Sequence, residues 1–265
     1  MSMGSSGIGT ATAPLDPFVG SQHASSPASR PHRDRPADSD GGSRTDGPAM
    51  SSAGLYRRTG MRIILSDFIS LDGVVQAPGG AEEDTDGGFR NGGWSMPMFD
   101  PEMMGSAIDE GMKSTEALLY GRRTWEGMAA AWPERAGDPY ADRMNALPKY
   151  VASRTLSADA VAARWDGSRL IPEGGGDAIE AIRTLRATGG DGDIQLWGSP
   201  SLAAQLVAHD LVDEYRLMVE PILLGGGKSI FPADGRARAL ELASVTTAKT
   251  GVLICTYVPM GAATR

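Results

Sequence analysis

The sequence predicts an α/β domain built on a mainly parallel central sheet, with helices on both faces and antiparallel strands at its C-terminal end. Three observations carry this prediction. From residue 61 to about 224, short apolar runs rich in β-branched residues alternate with helix-like segments, the pattern of a parallel sheet covered on both sides. Two further apolar runs, 240–246 and 252–258, flank Lys249-Thr250-Gly251 and read as a hairpin. The first 60 residues are dominated by Ser, Gly, Ala, Pro, Asp and Arg, too poor in apolar groups to offset the entropy of ordering. The expectation is a disordered leader over 1–60, one domain over 61–265, and Met61 as the natural start or the leader as dispensable.

Charge and cysteine usage narrow the function classes. Six of the 25 basic and five of the 33 acidic side chains lie in the first 60 residues, leaving 19 against 28 and a charge of −9 beyond them. That balance is a poor footprint for nucleic acid or an anionic membrane. The leader has no apolar core of a secretory signal, and no run approaches the roughly 20 apolar residues of a membrane span. Cys255 is the single cysteine and sits in an apolar run, so it reads as a buried, inert thiol in a reducing cytoplasm. His209 is the only histidine after residue 60, which excludes a multi-histidine metal site there; it closes a helix, where a cation suits the dipole, and no chemistry is assigned to it.

Along the domain, 62–67 reads as a strand that continues over 69–75 after Phe68. The Gly-rich stretch 76–98, with four acids between Glu82 and Asp86, is a long functional loop or lid. Asp100-Pro101-Glu102 has the order N-cap, N1 proline, first-turn acid and opens a helix to about 114. Residues 117–120 form a strand, 121–130 a helix, 139–146 a helix and 150–152 a strand. One or two short strands are expected in 160–172. An amphipathic helix over 177–187 presents Ile179, Ile182 and Leu185 on one face. The strand 194–197, the helix 201–209 and a long strand 215–224 precede the hairpin.

Three strand-to-helix junctions carry chemistry. In Tyr120-Gly121-Arg122-Arg123-Thr124-Trp125 a glycine permits close backbone approach, a helix start offers N–H groups, and two arginines offer fork-shaped donors to phosphate. Ser153-Arg154-Thr155 ends a buried strand with two hydroxyls around an arginine. Trp197-Gly198-Ser199-Pro200-Ser201-Leu202 is again strand, glycine, helix start. Each alone is also ordinary turn chemistry. Their recurrence at successive strand ends favours a ligand at the carboxyl edge of the sheet. Two glycine strings are decoys. Gly225-Gly226-Gly227-Lys228-Ser229 lacks the earlier glycine of a P-loop, where Ile222 stands, and Pro232 follows too soon for a helix. Gly4-Ser5-Ser6-Gly7-Ile8-Gly9 has no strand before it.

Gly121-Arg122-Arg123-Thr124-Trp125-Glu126 is similar to a string of dihydrofolate reductases. With Ser70-Leu71-Asp72-Gly73, the run from Gly93 to Asp100, Trp197-Gly198-Ser199 and the run from Pro221 to Lys228, the whole of 61–258 resembles the dihydrofolate-reductase-like family, which includes the C-terminal reductase domain of riboflavin-biosynthesis enzymes. The resemblance implies a three-layer fold, NADPH as cofactor and a homodimer. It puts Arg122, Arg123 and Thr124, with Ser153, Arg154 and Thr155, at the adenosine end. Gly198, Ser199 and the N–H groups of Ser201 and Leu202 fall on the pyrophosphate, with Gly121 at the turn. Leu71, Asp72 and Gly73 face the nicotinamide. The carboxylate that engages pterin in folate reduction falls in register near Gly105, and no His/Cys zinc domain precedes residue 61. The expected activity is hydride transfer to a small pterin- or pyrimidine-like substrate. Asp72, Asp100 and Glu220 are the candidate acids, and Trp94 and Phe99 the candidate stacking groups. Trp94 and Phe99 equally suit loop anchors, Asp100 suits a helix cap, and Glu220 needs a partner if buried, with Lys228 or Arg216 available. A catalytically silent NADP(H)-binding protein is the alternative, and a flavin enzyme a second one.

Overall fold

The computed structural model describes residues 60–261; the expectations for residues 1–59 and the choice of start lie outside them. Eight strands form one sheet in the order β4-β3-β2-β5-β1-β6-β8-β7. β1 (Arg62–Ser70) lies at its centre, parallel to β5 (Asp193–Trp197) on one side and β6 (Glu214–Glu220) on the other. β2 (Thr115–Gly121) follows β5, then β3 (Lys149–Ala152) and β4 (Ser168–Ile171), all parallel. β7 (Leu240–Thr247) and β8 (Leu253–Pro259) form the expected hairpin and add antiparallel to β6.

Side chains alternate across the pleat, so the two faces of β1 feed different cores. Ile63, Leu65 and Ile69 pack under α5 (Ala178–Thr188) and α6 (Pro200–Ala208), with Ile179, Ile182, Leu202 and Leu206. The opposite face carries α1 (Met103–Met112) through Met104 and Ile108, and α2 (Arg122–Ala131) and α3 (Pro139–Ala146) through Trp125 and Met144. Fully burying one such side chain contributes about 1.5–3 kcal/mol, so two stacked layers of them dominate the fold's stability. The helix starts are set locally: Asp138 accepts from Tyr140 and Ala141, and Asp177 from Ile179.

Several boundaries depart from the sequence reading. The stretch 160–172 is a helix and a strand: α4 (Ala158–Arg164), capped by Ser157, precedes β4. Val161 is the single buried residue of α4, so its apolar period is too thin to register. β1 runs unbroken through Phe68 and stops at Ser70, where Gly73 N–H bonds the Ser70 carbonyl and closes a turn. β6 stops at Glu220, because Pro221 has no N–H to donate and Ile222 N–H turns back onto the Glu220 carbonyl. Among the described residues no helix is long and apolar enough to cross a membrane.

Candidate active site at the carboxyl edge of the sheet

Five neighbouring parallel strands, β3, β2, β5, β1 and β6, end on one edge, and the three junctions named above are the loops that leave it. Gly121 pairs with Ala152, which places the Ser153 turn beside the start of α2. The Gly121 and Gly198 turns interlock directly. Gly121 N–H donates to Ser199 Oγ at 2.9 Å, and Ser199 N–H donates to Thr124 Oγ1 at 2.9 Å. Gly198 has φ +57°, and a Cβ there would stand 3.2 Å from Thr124 Cγ2. Ser199 is itself left-handed at φ +56°, a conformation that costs a non-glycine residue about 1–3 kcal/mol and clusters at functional sites.

The donors are distributed differently from the expectation. Leu202 N–H is used on the Ser199 carbonyl at 2.9 Å, which removes it from the anion ligands. Ser199 N–H is held by Thr124, and Gly198 N–H points at the Asp67 carboxyl. Ser153 Oγ accepts from Thr155 and Leu156 N–H and so organises its own turn. α2 remains open: its cap Gly121 places no side chain on the first-turn N–H groups. Arg122 pairs with Glu126 one turn on (3.3 Å), Arg123 pairs with Asp86 of the 76–98 loop, and Arg154 is exposed without an ion pair among the described residues.

Two of the three candidate acids are structural. Asp72 accepts from Ser70 Oγ (2.6 Å), Leu224 N–H (3.1 Å) and Gly225 N–H (2.8 Å), and these donors, Ser70 first, hold its carboxyl down at about 2. It latches the turn after β1 to the loop after β6. Asp100 accepts from Glu102 and Met103 N–H (3.0 and 3.1 Å) and, through its other oxygen, from Lys249 N–H (3.1 Å). The Met103 bond leads in lowering its pKa. Asp100 thus performs the expected capping, although regular helix begins at Met103. These donors hold both groups in the ionised form and tie them to neighbouring turns.

Glu220 is different. It is wholly buried; Oε1 accepts from Ser95 Oγ at 2.5 Å, and Oε2 has no hydrogen-bond partner. Burial pushes its carboxyl up to about 7 against the opposing Ser95 bond. Its partner is therefore Ser95 of the long loop. Lys228 is committed to Asp84 (2.5 Å) and Asp86 (3.0 Å), and Arg216 to Glu214 (2.6 Å). Trp94 is buried with its indole N–H on the Gln76 carbonyl (2.8 Å), so it anchors the loop. Phe99 packs edge-on to Phe68 (6.3 Å between centroids), which in turn lies 5.8 Å from Trp197.

Sequence reasoning missed three residues here. Asp67, in the middle of β1, is buried with Oδ2 unpartnered, and burial, then the charge of Glu83, drive its pKa well up. Its signal was an acid inside an otherwise apolar run. Ser95, an ordinary serine in a loop, gave none. Gln76 is buried, donates to the Asp84 and Asp86 carbonyls (3.0 Å each) and accepts from Lys228 N–H (3.1 Å), fixing the long loop.

Residues 61–254 match the family of the RibD C-terminal domain. The chain is 26% identical over 201 residues to the Bacillus subtilis (strain 168) protein YyaP, itself uncharacterized, covering 74% of this chain and 94% of that one. Its fold is similar to that of a Shewanella sp. PV-4 protein provisionally assigned to riboflavin biosynthesis, with TM-score 0.57 and 20% identity over 75% of this chain and 99% of that one. It is also similar to a Thermotoga maritima diaminohydroxyphosphoribosylaminopyrimidine deaminase/5-amino-6-(5-phosphoribosylamino)uracil reductase, with TM-score 0.50 and 12% identity over 76% of this chain and 57% of that one. The dihydrofolate-reductase-like architecture and the extent of the family match lead to one conclusion: this chain belongs to the RibD C-terminal domain family.

Proposed function

We propose that this chain is an NADPH-dependent reductase that delivers hydride to a C=N or C=O bond of a small pyrimidine-type heterocycle. One observation carries the reading. A single edge of the sheet holds an interlocked pair of glycine turns beside an arginine pair and, three strands away, a buried acid with one free oxygen. At about 4.8 Å per strand the separation is roughly 14 Å, a span that suits an extended dinucleotide. The family match and the reductase named for the Thermotoga relative support the same class.

The residues fit an anionic cofactor. The open start of α2 and the guanidinium groups of Arg122, Arg123 and Arg154 would hold its phosphates, beside the hydroxyls of Thr124 and Ser153. Gly121 and Gly198 would let backbone lie close to it. When bound, NADPH supplies the hydride. Glu220 holds a proton near neutrality and releases it from Oε2 to the substrate atom that gains charge. Ser95 orients that carboxyl, and burial keeps water from it.

We also read the chain as a cytoplasmic homodimer, supported by the edge strand β7, which exposes Leu242 and Val245; light scattering tests the assembly. For the cofactor, titration of the purified protein with NADPH and NADH is decisive. Arg122→Ala is expected to weaken NADPH about tenfold or more while leaving NADH nearly unchanged, the loss of about one charged hydrogen bond. Equal losses for both would refute the phosphate-reading role. Tight NADPH binding without turnover on any pyrimidine or pterin would favour a silent binding protein.

A further inference from the structure

The long loop bears on this edge through its acids as well as through Ser95. Asp86 pairs with Arg123 in the first turn of α2, which follows β2. The same carboxylate pairs with Lys228 in the loop after β6 (3.0 Å), and Asp84 meets that ammonium too (2.5 Å). β5 and β1 stand between β2 and β6, so the loops that Asp86 joins leave strands about 14 Å apart. The charge of Glu83 reaches Asp67 of β1, whose carboxyl takes the Gly198 N–H. The stretch 83–86 is therefore an acidic strap that ties the arginine side of the edge to its glycine-loop side.

The strap is held in two ways. Its backbone is fixed from within: buried Gln76 donates to the Asp84 and Asp86 carbonyls (3.0 Å each), and Glu83 accepts from the Gly79 and Gly80 N–H groups (2.7 and 3.1 Å). Its hold on Arg123 is a surface contact, with the arginine side chain 57% exposed and that of Asp86 44%. Asp86 also opens a single helical turn, 86–88, in which the Gly88 and Phe89 N–H groups donate to the Thr85 and Asp86 carbonyls (3.1 and 3.3 Å). Gly87 and Gly88 bring no side chain to steady this turn, and a Cβ on either would meet open space. The contacts of Asp86 are what tether it.

A guanidinium fork donates to phosphate oxygens in the same geometry as to a carboxylate. A phosphate monoester carries a charge of about −1.5 to −2 near pH 7, more than Asp86 brings. An incoming phosphate therefore matches Arg123 better, and Asp86, once displaced, keeps Lys228 as its counter-ion. We propose that Asp86 is an internal stand-in for a cofactor phosphate: strap and phosphate compete for Arg123, and binding unpins the 86–88 turn. The inference rests on the NADPH reading above and adds to it a competitor built into the chain.

The probe is adenosine 2′,5′-bisphosphate, which carries the phosphates without the nicotinamide. It is titrated calorimetrically into the full chain, and amide hydrogen exchange is followed by mass spectrometry in peptides that cover residues 85–90. In the parent, saturating probe is expected to speed exchange there. Asp86→Asn is expected to exchange fast without the probe, to gain nothing from it, and to bind it about two- to fivefold tighter, the scale of one exposed ion pair. Glu82→Gln removes the same charge from an exposed acid of the same loop and is expected to match the parent in both measurements. Exchange that stays constant or slows on binding overturns the inference, as does equal tightening in Glu82→Gln, which would mark a general charge effect. Binding of equal strength in the parent and Asp86→Asn overturns it while leaving the cofactor reading intact. Binding to neither overturns both.

Discussion

At the rim of the carboxyl edge, Asp72 and Asp100 each gather three donors and stay ionised. Within the sheet beneath them, Asp67 and Glu220 each keep one oxygen with no partner and are driven toward the protonated form. The same functional group thus serves two purposes according to what surrounds it. Surrounded by backbone N–H groups, a carboxylate fastens turns and helix starts. Deprived of donors and water, it keeps its proton to higher pH. A rim acid tells little about reactivity, whereas an acid interrupting an apolar strand tells a great deal.

The strongest way to break this comparison is Glu220→Gln. The amide keeps the shape and the Ser95 contact but carries no transferable proton. Turnover is expected to fall about 10²–10⁴-fold with NADPH affinity unchanged, measured by steady-state NADPH oxidation and by titration. In the parent, kcat should decline as pH rises through about 7, where Glu220 loses its proton. Stability has the same sign. The folded state holds this proton more tightly than the unfolded chain, whose carboxyl titrates near 4.5. Stability is therefore full below that value and is lost as pH climbs through about 7, by a total of about 3 kcal/mol. Urea unfolding at pH 5 and pH 8 should show the loss in the parent and its absence in Glu220→Gln. A variant with unchanged turnover would place Glu220 with the structural acids.

Gly198→Ala probes the interlocked turns. The added methyl meets Thr124 and forces a left-handed alanine, a cost of about 1 kcal/mol, and NADPH affinity is expected to drop several-fold. Isothermal titration checks it. Asp100→Ala should sharpen the rim side of the comparison. Loss of the α1 cap is expected to lower Tm by about 2–4 °C while kcat stays within twofold of the parent. The smallest effect is expected from Asp86→Asn. It releases Arg123 from an exposed ion pair, a contact worth about 0–1 kcal/mol, and should tighten NADPH by no more than about fivefold.

Most of the architecture was legible because it is written in period and punctuation. The hairpin, the Pro139 and Asp177 helix starts, and the two glycine junctions appear where the residues placed them. α4 escaped because Val161 alone marks its buried side. The candidate site was legible only in part, for a physical reason. The junction residues are conformational choices that a local sequence must display, whereas the Glu220–Ser95 contact joins residues 125 positions apart. Glu220 was singled out with the wrong partner, since Lys228 looks apt by charge but is held by two acids of the loop. The hydrogen bonds that tie Asp72 to the loop after β6 and Trp94 to Gln76 were not legible, because motif position and aromaticity do not reveal who supplies them.

The reciprocal bonds between Gly121, Thr124 and Ser199 make the starts of α2 and α6 a single stiff plate. Neither helix can tilt without tearing a bond that belongs equally to the other. Movement at this edge is then left to the 76–98 segment, which rests on side-chain contacts through Gln76, Asp84 and Ser95. One side of the edge is an anvil, and the 76–98 side is the part that selection is free to reshape.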